Sequence, residues 1–546
     1  MKKYDRITPE GTRDLLFEEC VAQRKIINNL RETFEGKDYN EVITPGFEFY
    51  DVFSSNAMYF PQESMYKLMD NRGRLITMRP DSTIPIARMT ATKLKGHKLP
   101  IRLYYAQKVY RPQPELRGKS SEIMQMGIEL IGLSTFESDI EVLTTGIEAL
   151  SACSTNEFRI ELGHIGVFKL LMKNLNTSEE EKENIHALIS SKNYAALSDV
   201  LEGFAGDRTA ELLKELPKLF GGKEALDKAR TLFDGYDPKL MNMISYLERI
   251  YQGLMKLNLH DKIMIDFGLV NQAEYYSSLI FRGYIASAGE PVLSGGRYDE
   301  LFKDFGEDLP AIGFGINVDQ LAAGLLEEPE KKYDINKNKI RIALTKGRLE
   351  KSIVELFEEI GYDVINLKEK GRKLLLTIPN TNIEVVLAKA ADVITYVEHG
   401  VCDIGVVGKD TIVEHGGTFY EVIDLGIGKC KFALAAPKGT DFYSGYSTKT
   451  IATKYPKVAG SYFESKCMDI EIIKIEGSVE LAPLLDLADG IVDLVETGTT
   501  LKENGLEVIE DIRDISARLI VNEASMKLKK NAIDDIIAAI ERRVKK

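Results

Sequence analysis

The residues best equipped for chemistry lie late in the chain. In IVDLVETGTTL, residues 491–501, an apolar run ends in carboxylates and passes directly into Thr-Gly-Thr-Thr before a helix start. Successive backbone N–H groups and hydroxyls at a strand-to-helix turn form an anion cradle. Gly498 lets the backbone come close to a phosphate, because no Cβ stands in the way. A carboxylate repels phosphate but accepts hydrogen bonds from vicinal hydroxyls. Asp493 and Glu496, followed by Thr497, Gly498, Thr499 and Thr500, are therefore a recipe for a ribose 5-phosphate. The same residues also describe a threonine-capped helix N-terminus that binds nothing. A second cluster, TKGRL at residues 345–349, sets Lys346 and Arg348 on a turn, where they suit a pyrophosphate or triphosphate. A solvated basic turn is the alternative there. Lys389 and Asp392 offer a third edge to the same cleft. No Ser/His/Asp or Cys/His constellation accompanies them, no metal site is read, and His399 and His415 read as structural.

These residues need elements to position them. After residue 339 the pattern is α/β: IRIAL, a glycine-containing turn and a helix, then GVCDIGVVGKD as a buried strand leading into another helix. The terminal stretch NAIDDIIAAIERRVKK sets Ile533, Ile536, Ile537, Ile540 and Val544 on one helical face. A polar, charged seam, EEPEKKYDINKN at residues 327–338, precedes this half and reads as a linker, with a surface loop as the alternative. Ahead of the seam, residues 99–111 and 121–132 form two alternating apolar runs separated by a loop with two prolines, a hairpin pattern. Residues 177–257 have helical spacing and read as an insertion.

Composition narrows the function. The chain has 546 residues, 44% hydrophobic and 28% charged, with 71 Lys+Arg against 84 Asp+Glu and a net charge of −13. At roughly 150 residues per domain, this length holds three to four domains. An acidic balance argues against a broad nucleic-acid footprint, which needs clustered cations. The five cysteines are scattered, with no CxxC, which argues against a disulfide framework or zinc ribbon and for a reducing compartment. No apolar run approaches the ~18 residues of a membrane span, and the first residues lack a secretory apolar core. A cytoplasmic protein that binds neither nucleic acid nor membrane is expected.

The second half resembles the short form of ATP phosphoribosyltransferase, carried by ALTKGRL, DVITYVEHGVCDIGVVGKD, IATKYPKVAGSYFESK, IIKIEGSVELAPLLDLADGIVDLVETGTTLKENGL and ISARLIVNEAS in the family's order. The resemblance implies two α/β lobes like those of type II periplasmic solute-binding proteins, with lobe I at 339–428 and 515–546 and lobe II at 429–514. It implies attack of adenine N1 of ATP on C1 of 5-phosphoribosyl 1-pyrophosphate (PRPP), giving N1-(5-phosphoribosyl)-ATP and pyrophosphate, the committed step of histidine biosynthesis. On this match, residues 493–500 hold the ribose phosphate, and Lys346, Arg348 and Lys389 neutralise the phosphate chains. Mg²⁺ enters on the pyrophosphate of PRPP. The family commonly has Arg where Lys389 stands and Pro where Ile394 stands.

The first half resembles the catalytic core of histidyl-tRNA synthetase, carried by ITPEGTRDLL, EVITPGFEFYDVF, MRPDSTIPIAR, KVYRPQPELRGKSSEIMQMGIELIG and LSGGRYDELF. The resemblance implies a class II antiparallel sheet of six strands in a domain spanning 1–326, and a dimer through the early TPGFE segment. Asp81, Thr83, Gln125 and Glu129 match the family's amino-acid pocket, Tyr275 and Tyr276 its paired tyrosines, and Arg111 its second-motif arginine. The family's activating arginine falls on Asn271 and its third-motif arginine on Gln320, so adenylate formation loses two cations while the histidine pocket is kept. That combination resembles the regulatory subunit of ATP phosphoribosyltransferase. The expectation is a fusion of regulatory and catalytic subunits: a histidine-inhibited pentosyltransferase, homo-oligomeric, with a homotetramer corresponding to the two-subunit assembly. An active histidyl-tRNA synthetase with an atypical C-terminal domain and a non-catalytic small-molecule sensor are the alternatives.

Overall fold

The computed structural model describes residues 6–544, apart from 55–60, 115–116, 154–156, 271–274 and 327–338. The chain separates into two compact units, Met1–Asn336 with Glu523–Leu528, and Lys337–Asn522 with Lys529–Lys546. The expected linker at 327–338 lies outside the described residues, as does Asn271.

Among the described residues, unit 1 contains twelve strands: β1 (Asn40–Glu41), β2 (Phe47–Phe49), β3 (Lys67–Met69), β4 (Leu75–Met78), β5 (Ile101–Tyr110), β6 (Glu122–Ile131), β7 (Phe158–His164), β8 (Phe220–Gly221), β9 (Ile263–Asp266), β10 (Leu279–Ile285), β11 (Leu293–Arg297) and β12 (Ala311–Asn317). Nine of them form one sheet in the order β1-β5-β6-β12-β11-β10-β7-β9-β8. The expected hairpin is present: β5 and β6 pair antiparallel from Ile101↔Ile131 to Tyr110↔Glu122. The antiparallel run from β5 to β7 supplies the six strands implied by the resemblance. The full sheet is larger, because β1 adds parallel to β5, β9 adds parallel to β7 and β8 pairs with β9. The two-residue β1 and β8 are too short to show alternation in sequence. The segment expected to be a helical insertion forms helices Glu179–Ser190, Tyr194–Glu202, Arg208–Glu215, Lys223–Phe233 and Pro238–Lys256, with β8 among them. A separate small sheet, β2-β4-β3, exposes Phe47, Phe49, Leu68, Met69 and Leu75.

Unit 2 contributes β13 (Ile340–Thr345), β14 (Leu375–Thr377), β15 (Ile383–Ala388), β16 (Ile404–Gly408), β17 (Tyr420–Asp424), β18 (Cys430–Pro437), β19 (Lys449–Thr453), β20 (Ile470–Lys474), β21 (Gly490–Val495), β22 (Leu506–Ile515) and β23 (Ala517–Val521). They form two sheets, β14-β15-β13-β16-β23-β17 and β20-β19-β21-β18-β22. The chain passes between the sheets after β17 and again at Ser516. The two crossings are tied together, since Leu425 N–H donates to Ala517 O at 3.0 Å and Ala517 N–H to Ile427 O at 2.8 Å. The terminal helix Lys530–Val544 buries Ile533, Ile536 and Ile540, and Arg543 pairs with Glu359 at 2.7 Å. Among the described residues no helix is long and apolar enough to cross a membrane.

The sequence reading places Glu523–Leu528 with the rest of 515–546, whereas the structure groups this short helix with unit 1. Its Glu523, Ala524, Ser525, Met526 and Lys527 are buried.

One ion pair fixes the unit 1 sheet to the helix Phe136–Ala152 behind it. Arg297, at the end of β11, donates through Nε to Asp139 Oδ1 at 2.9 Å, through Nη2 to Ser138 Oγ at 3.0 Å and through Nη1 to Leu133 O at 2.9 Å. Both charged side chains are nearly sealed from water. R297M leaves Asp139 as a buried acid without its cation and is expected to destabilise unit 1 by about 3–5 kcal/mol, read as a lowered midpoint in urea unfolding. An unchanged midpoint would remove this pair from the account of the fold.

Candidate active site and ligand pocket

In unit 2 the candidate residues emerge at the carboxyl ends of parallel strands, where α/β sheets hold ligands. β13 and β15 run parallel with Thr345 opposite Ala388. Lys346 and Lys389 therefore leave the sheet side by side, and Lys346 N–H donates to Ala388 O at 2.9 Å. Lys389 lies at the N-cap of helix Ala390–Glu398. Gly347 has φ 108°, and Arg348 opens the helix Arg348–Glu359. All three cations are exposed, as is Asp392.

The carboxyl end of β21 supplies the other wall. Asp493 is half-buried, and burial pushes its acid above the usual range, a rise that Lys454 opposes. Gly498 takes φ 72° and ψ 6°, the left-handed conformation that favours glycine, and starts the short helix Thr499–Glu503. Thr497, Thr499 and Thr500 are exposed. The Thr497 and Thr499 hydroxyls lie 3.0 Å apart, and Thr499 N–H reaches Thr497 Oγ1 at 3.4 Å. The turn is open to solvent, with hydroxyls and backbone groups available to an anion. Glu496 Oε2 accepts from Arg348 Nη1 at 2.8 Å, across 148 residues of sequence. Two residues assigned to different parts of a substrate thus hold each other, and Arg348 joins the first sheet's turn to the second sheet's. Among the described residues no group of three or more His, Cys, Asp or Glu side chains is placed to hold a metal.

In unit 1 the residues expected to form the amino-acid pocket gather over one face of the nine-stranded sheet, since cross-strand partners share a face. Glu129 on β6 stands opposite Gly313 on β12, which stands opposite Gly296 on β11. Glu129 is 1% exposed, yet both its oxygens are engaged: Thr83 Oγ1 donates to Oε1 at 2.7 Å, and the Tyr298 hydroxyl donates to Oε2. The glycines make this possible. A Cβ at Gly313 would stand 1.9 Å from Glu129 Oε2, and one at Gly315 would stand 2.8 Å from Gln125 Nε2 and 2.9 Å from the Tyr105 hydroxyl. A Cβ at Gly296 would strike the Tyr276 ring at 2.6 Å. Asp81 is buried and accepts from Ile84 N–H at 2.9 Å, capping the helix that begins at Thr83. The Tyr275 and Tyr276 rings are 4.7 Å apart, and Tyr275 meets Tyr298 edge-on at 5.8 Å. Tyr105 donates to Gln125 at 3.4 Å. Arg111 Nε donates to Pro80 O at 2.8 Å, next to Asp81. All seven expected pocket residues therefore lie in one environment. Burial, and then the negative charges of Asp81 and Glu129, hold the Tyr105 and Tyr275 hydroxyls well above their usual range. Two buried carboxylates surrounded by aromatic rings suit a ligand with an ammonium group and a heterocyclic N–H.

Tyr298, Tyr105 and the glycine floor escape sequence reasoning. Tyr298 lies inside the GGRYD stretch, but its partner Glu129 is 169 residues away, and nothing local signals the contact. The structure adds a second feature at Gln320, the residue that the resemblance aligns with a third-motif arginine. Gln320 Nε2 donates to Glu290 Oε1 at 2.6 Å, and Lys119 pairs with the other oxygen at 3.1 Å. A carboxylate thus stands beside the position where the resemblance implies an arginine.

Burial pushes the Glu129 acid up to about 8, with the Tyr298 and Thr83 hydrogen bonds opposing the rise. An acid whose folded value lies above its unfolded value stabilises the fold most fully below the unfolded value. That contribution fades as pH climbs through the folded value. The stability of the wild type relative to E129Q is therefore expected to fall between about pH 5 and about pH 9, measured by urea unfolding at several pH values. A pH-independent difference would show that Glu129 ionises as it does in water.

Comparisons with known proteins place both halves of the chain in families. Residues 11–321 match the histidyl-tRNA synthetase family, and residues 389–542 match the ATP phosphoribosyltransferase family. A protein of Clostridium botulinum named ATP phosphoribosyltransferase regulatory subunit is 36% identical over 394 residues, covering 71% of this chain and 92% of that one. Its namesake from Bacillus cereus is 37% identical over 402 residues, covering 73% and 93%. Among solved structures, an ATP phosphoribosyltransferase regulatory subunit/histidyl-tRNA synthetase from Bacillus halodurans superposes with a TM-score of 0.56 at 28% identity, covering 72% of this chain and 94% of that one. A histidine–tRNA ligase subunit from Alicyclobacillus acidocaldarius gives a TM-score of 0.51 at 27% identity, covering 58% and 97%. With a synthetase-like sheet domain in front and a phosphoribosyltransferase domain behind, the chain belongs to the ATP phosphoribosyltransferase regulatory-subunit family and is a pentosyltransferase.

Proposed function

We propose that the chain catalyses the condensation of ATP with PRPP to N1-(5-phosphoribosyl)-ATP and pyrophosphate, and that free histidine bound in unit 1 inhibits the reaction. The observation that carries the catalytic part is the exposed left-handed turn at Gly498, beside half-buried Asp493 and bridged through Glu496 to Arg348. In this reading Thr497, Gly498, Thr499 and Thr500 take the 5-phosphate, and Asp493 accepts from the ribose hydroxyls. Lys346, Arg348 and Lys389 face the pyrophosphate and triphosphate. Glu496 keeps Arg348 in place until a phosphate competes for it. PRPP brings its own Mg²⁺ on the pyrophosphate, where the ion stabilises the departing charge. The barrier lies in leaving-group departure from a ribosyl centre, so orientation and fixed charge are the chain's contribution and no side-chain nucleophile is needed. The two sheets of unit 2, joined by paired crossings, support a two-lobed solute-binding-like cleft.

The regulatory part rests on Glu129, gripped by Thr83 and Tyr298 over a glycine floor, a pocket for the imidazole and ammonium of histidine. The Glu290 carboxylate at Gln320 works against phosphate binding there and so against the synthetase alternative. The exposed apolar face of β2-β4-β3 supports a homo-oligomer assembled through unit 1, with a homotetramer as its simplest form. The cytoplasm is the proposed site of action.

Incubation with ATP, PRPP and Mg²⁺ is expected to produce the absorbance of an N1-substituted adenine, and its absence would sink the catalytic reading. T497A is expected to lower kcat/KM for PRPP about tenfold or more, the loss of one hydrogen bond to a charged group. E129A is expected to raise the histidine concentration for half-inhibition about 10- to 100-fold. Equal inhibition of E129A and wild type would contradict the regulatory assignment.

A further inference from the structure

The sheet face that carries the Glu129 pocket also carries a second, charge-lined seat that the proposed function does not use. One row of cross-strand partners runs Tyr105, Gly127, Gly315, Ser294, Arg282 and Glu161, from β5 to β7. At the pocket end of this face, Tyr276 packs over Gly296. At the other end, Glu161 Oε2 pairs with Lys527 at 2.9 Å, and Lys527 also pairs with Asp266. Lys527 is 2% exposed and lies 4.8 Å over the Phe220 ring. Its neighbour Glu523 pairs with Lys192 at 2.6 Å, again buried. Unit 1 thus holds the six residues Glu523–Leu528 by a set of buried charges of both signs. Glu161 also accepts from the Tyr284 hydroxyl at 2.7 Å.

Arg282 stands between the two ends. It projects from the same row and donates to Val270 O at 3.1 Å. Its charge acts on Glu161 on one side and on Tyr276 on the other. Two strand spacings of about 4.8 Å separate β11, beneath Tyr276, from β7, beneath Glu161. A ligand that moves Tyr276 therefore changes the surroundings of Arg282, and through it the charge balance at Glu161. The segment continues at Asn522, whose side chain donates to Val397 O at 2.8 Å, and at Lys529, which pairs with Asp403 at 2.9 Å. Asn522 follows β23, which pairs with β16 of the six-stranded sheet.

We propose that the seat formed by Glu161, Asp266 and Lys192 is the receiver for residues 523–528, and that its hold on Lys527 is the step through which histidine in the Glu129 pocket is felt by the phosphoribosyl-transfer site. The inference rests on the regulatory reading above and adds the element that transmits it. Linkage makes the coupling reciprocal: a change in the seat that alters inhibition also alters histidine affinity.

The test uses the full chain. In K527M, saturating histidine is expected to leave most of the turnover that it abolishes in wild type, while calorimetry still detects histidine binding. The double variant K527M/D266N removes one buried charge of each sign and keeps the test open where the single change is not tolerated. In wild type, hydrogen exchange of a peptide covering 523–528 is expected to change at least about fivefold when histidine is added. Unaltered inhibition in the folded variants, or unaltered exchange in wild type, would overturn the inference. A wild type that binds no histidine at all would overturn the regulatory reading first. Binding and inhibition with a silent 523–528 peptide would overturn this inference alone.

Discussion

A carboxylate can sit in the middle of a sheet only when both its oxygens find donors, and most of unit 1 is arranged around that requirement at Glu129. Thr83 meets one oxygen because Asp81 caps the helix that begins there. Tyr298 meets the other because Arg297, the residue before it, is locked to Asp139 behind the sheet. The space for the carboxylate exists because Gly313 has no side chain in it. Even so, burial dominates, and the acid is pushed up to about 8. Such a group is costly to keep in a fold that does not use it. In the regulatory reading proposed above, a bound ligand would give that buried acid its use.

Unit 2, in the proposed reaction, would face a different problem, the gathering of negative charge on a substrate. Its sheets present the carboxyl ends of β13, β15 and β21, where the chain turns into helices. The cations come from the β13 and β15 side, and the hydroxyls with the left-handed glycine come from the β21 side. The Arg348–Glu496 pair spans the two, and both side chains are exposed, so the bond adds little stability. A weak bridge is an appropriate one, because a phosphate can displace Glu496 at small cost and leave the guanidinium already aimed.

What the sequence made legible follows from the range of each signal. The β5–β6 hairpin was readable because alternation and two prolines are local features, and the Thr-Gly-Thr-Thr turn was readable because its chemistry lies in consecutive residues. The pocket set from Asp81 to Tyr276 was legible through resemblance, not through spacing. The pairing of Glu129 with Tyr298, the glycine floor and the outer strands of the sheet were not legible. Each depends on residues brought together only by the fold, or on strands too short to alternate. The membership of residues 523–528 was hidden most completely. Chain order places them with the phosphoribosyltransferase segment, and only the partners of Lys527, the nearer of which is 261 residues away, place them in unit 1.

The energetics of that last segment limit how it can act. Withdrawing a buried cation from two carboxylates costs about 3–5 kcal/mol, whereas coupling between two ligand sites is typically about 1–3 kcal/mol. On the proposed coupling, histidine would therefore have too little free energy to expel Lys527 from its seat. It would have enough to shift the seat among arrangements in which every charge stays paired. Arg282 and Lys192 act on Glu161 together with Lys527, so the acid can exchange part of one cation for another without being stranded. On the proposed coupling, a small displacement at Tyr276 would be enough to shift that balance. Such a shift would have a short way to travel, because Glu523, held by Lys192, is bonded directly to Asn522.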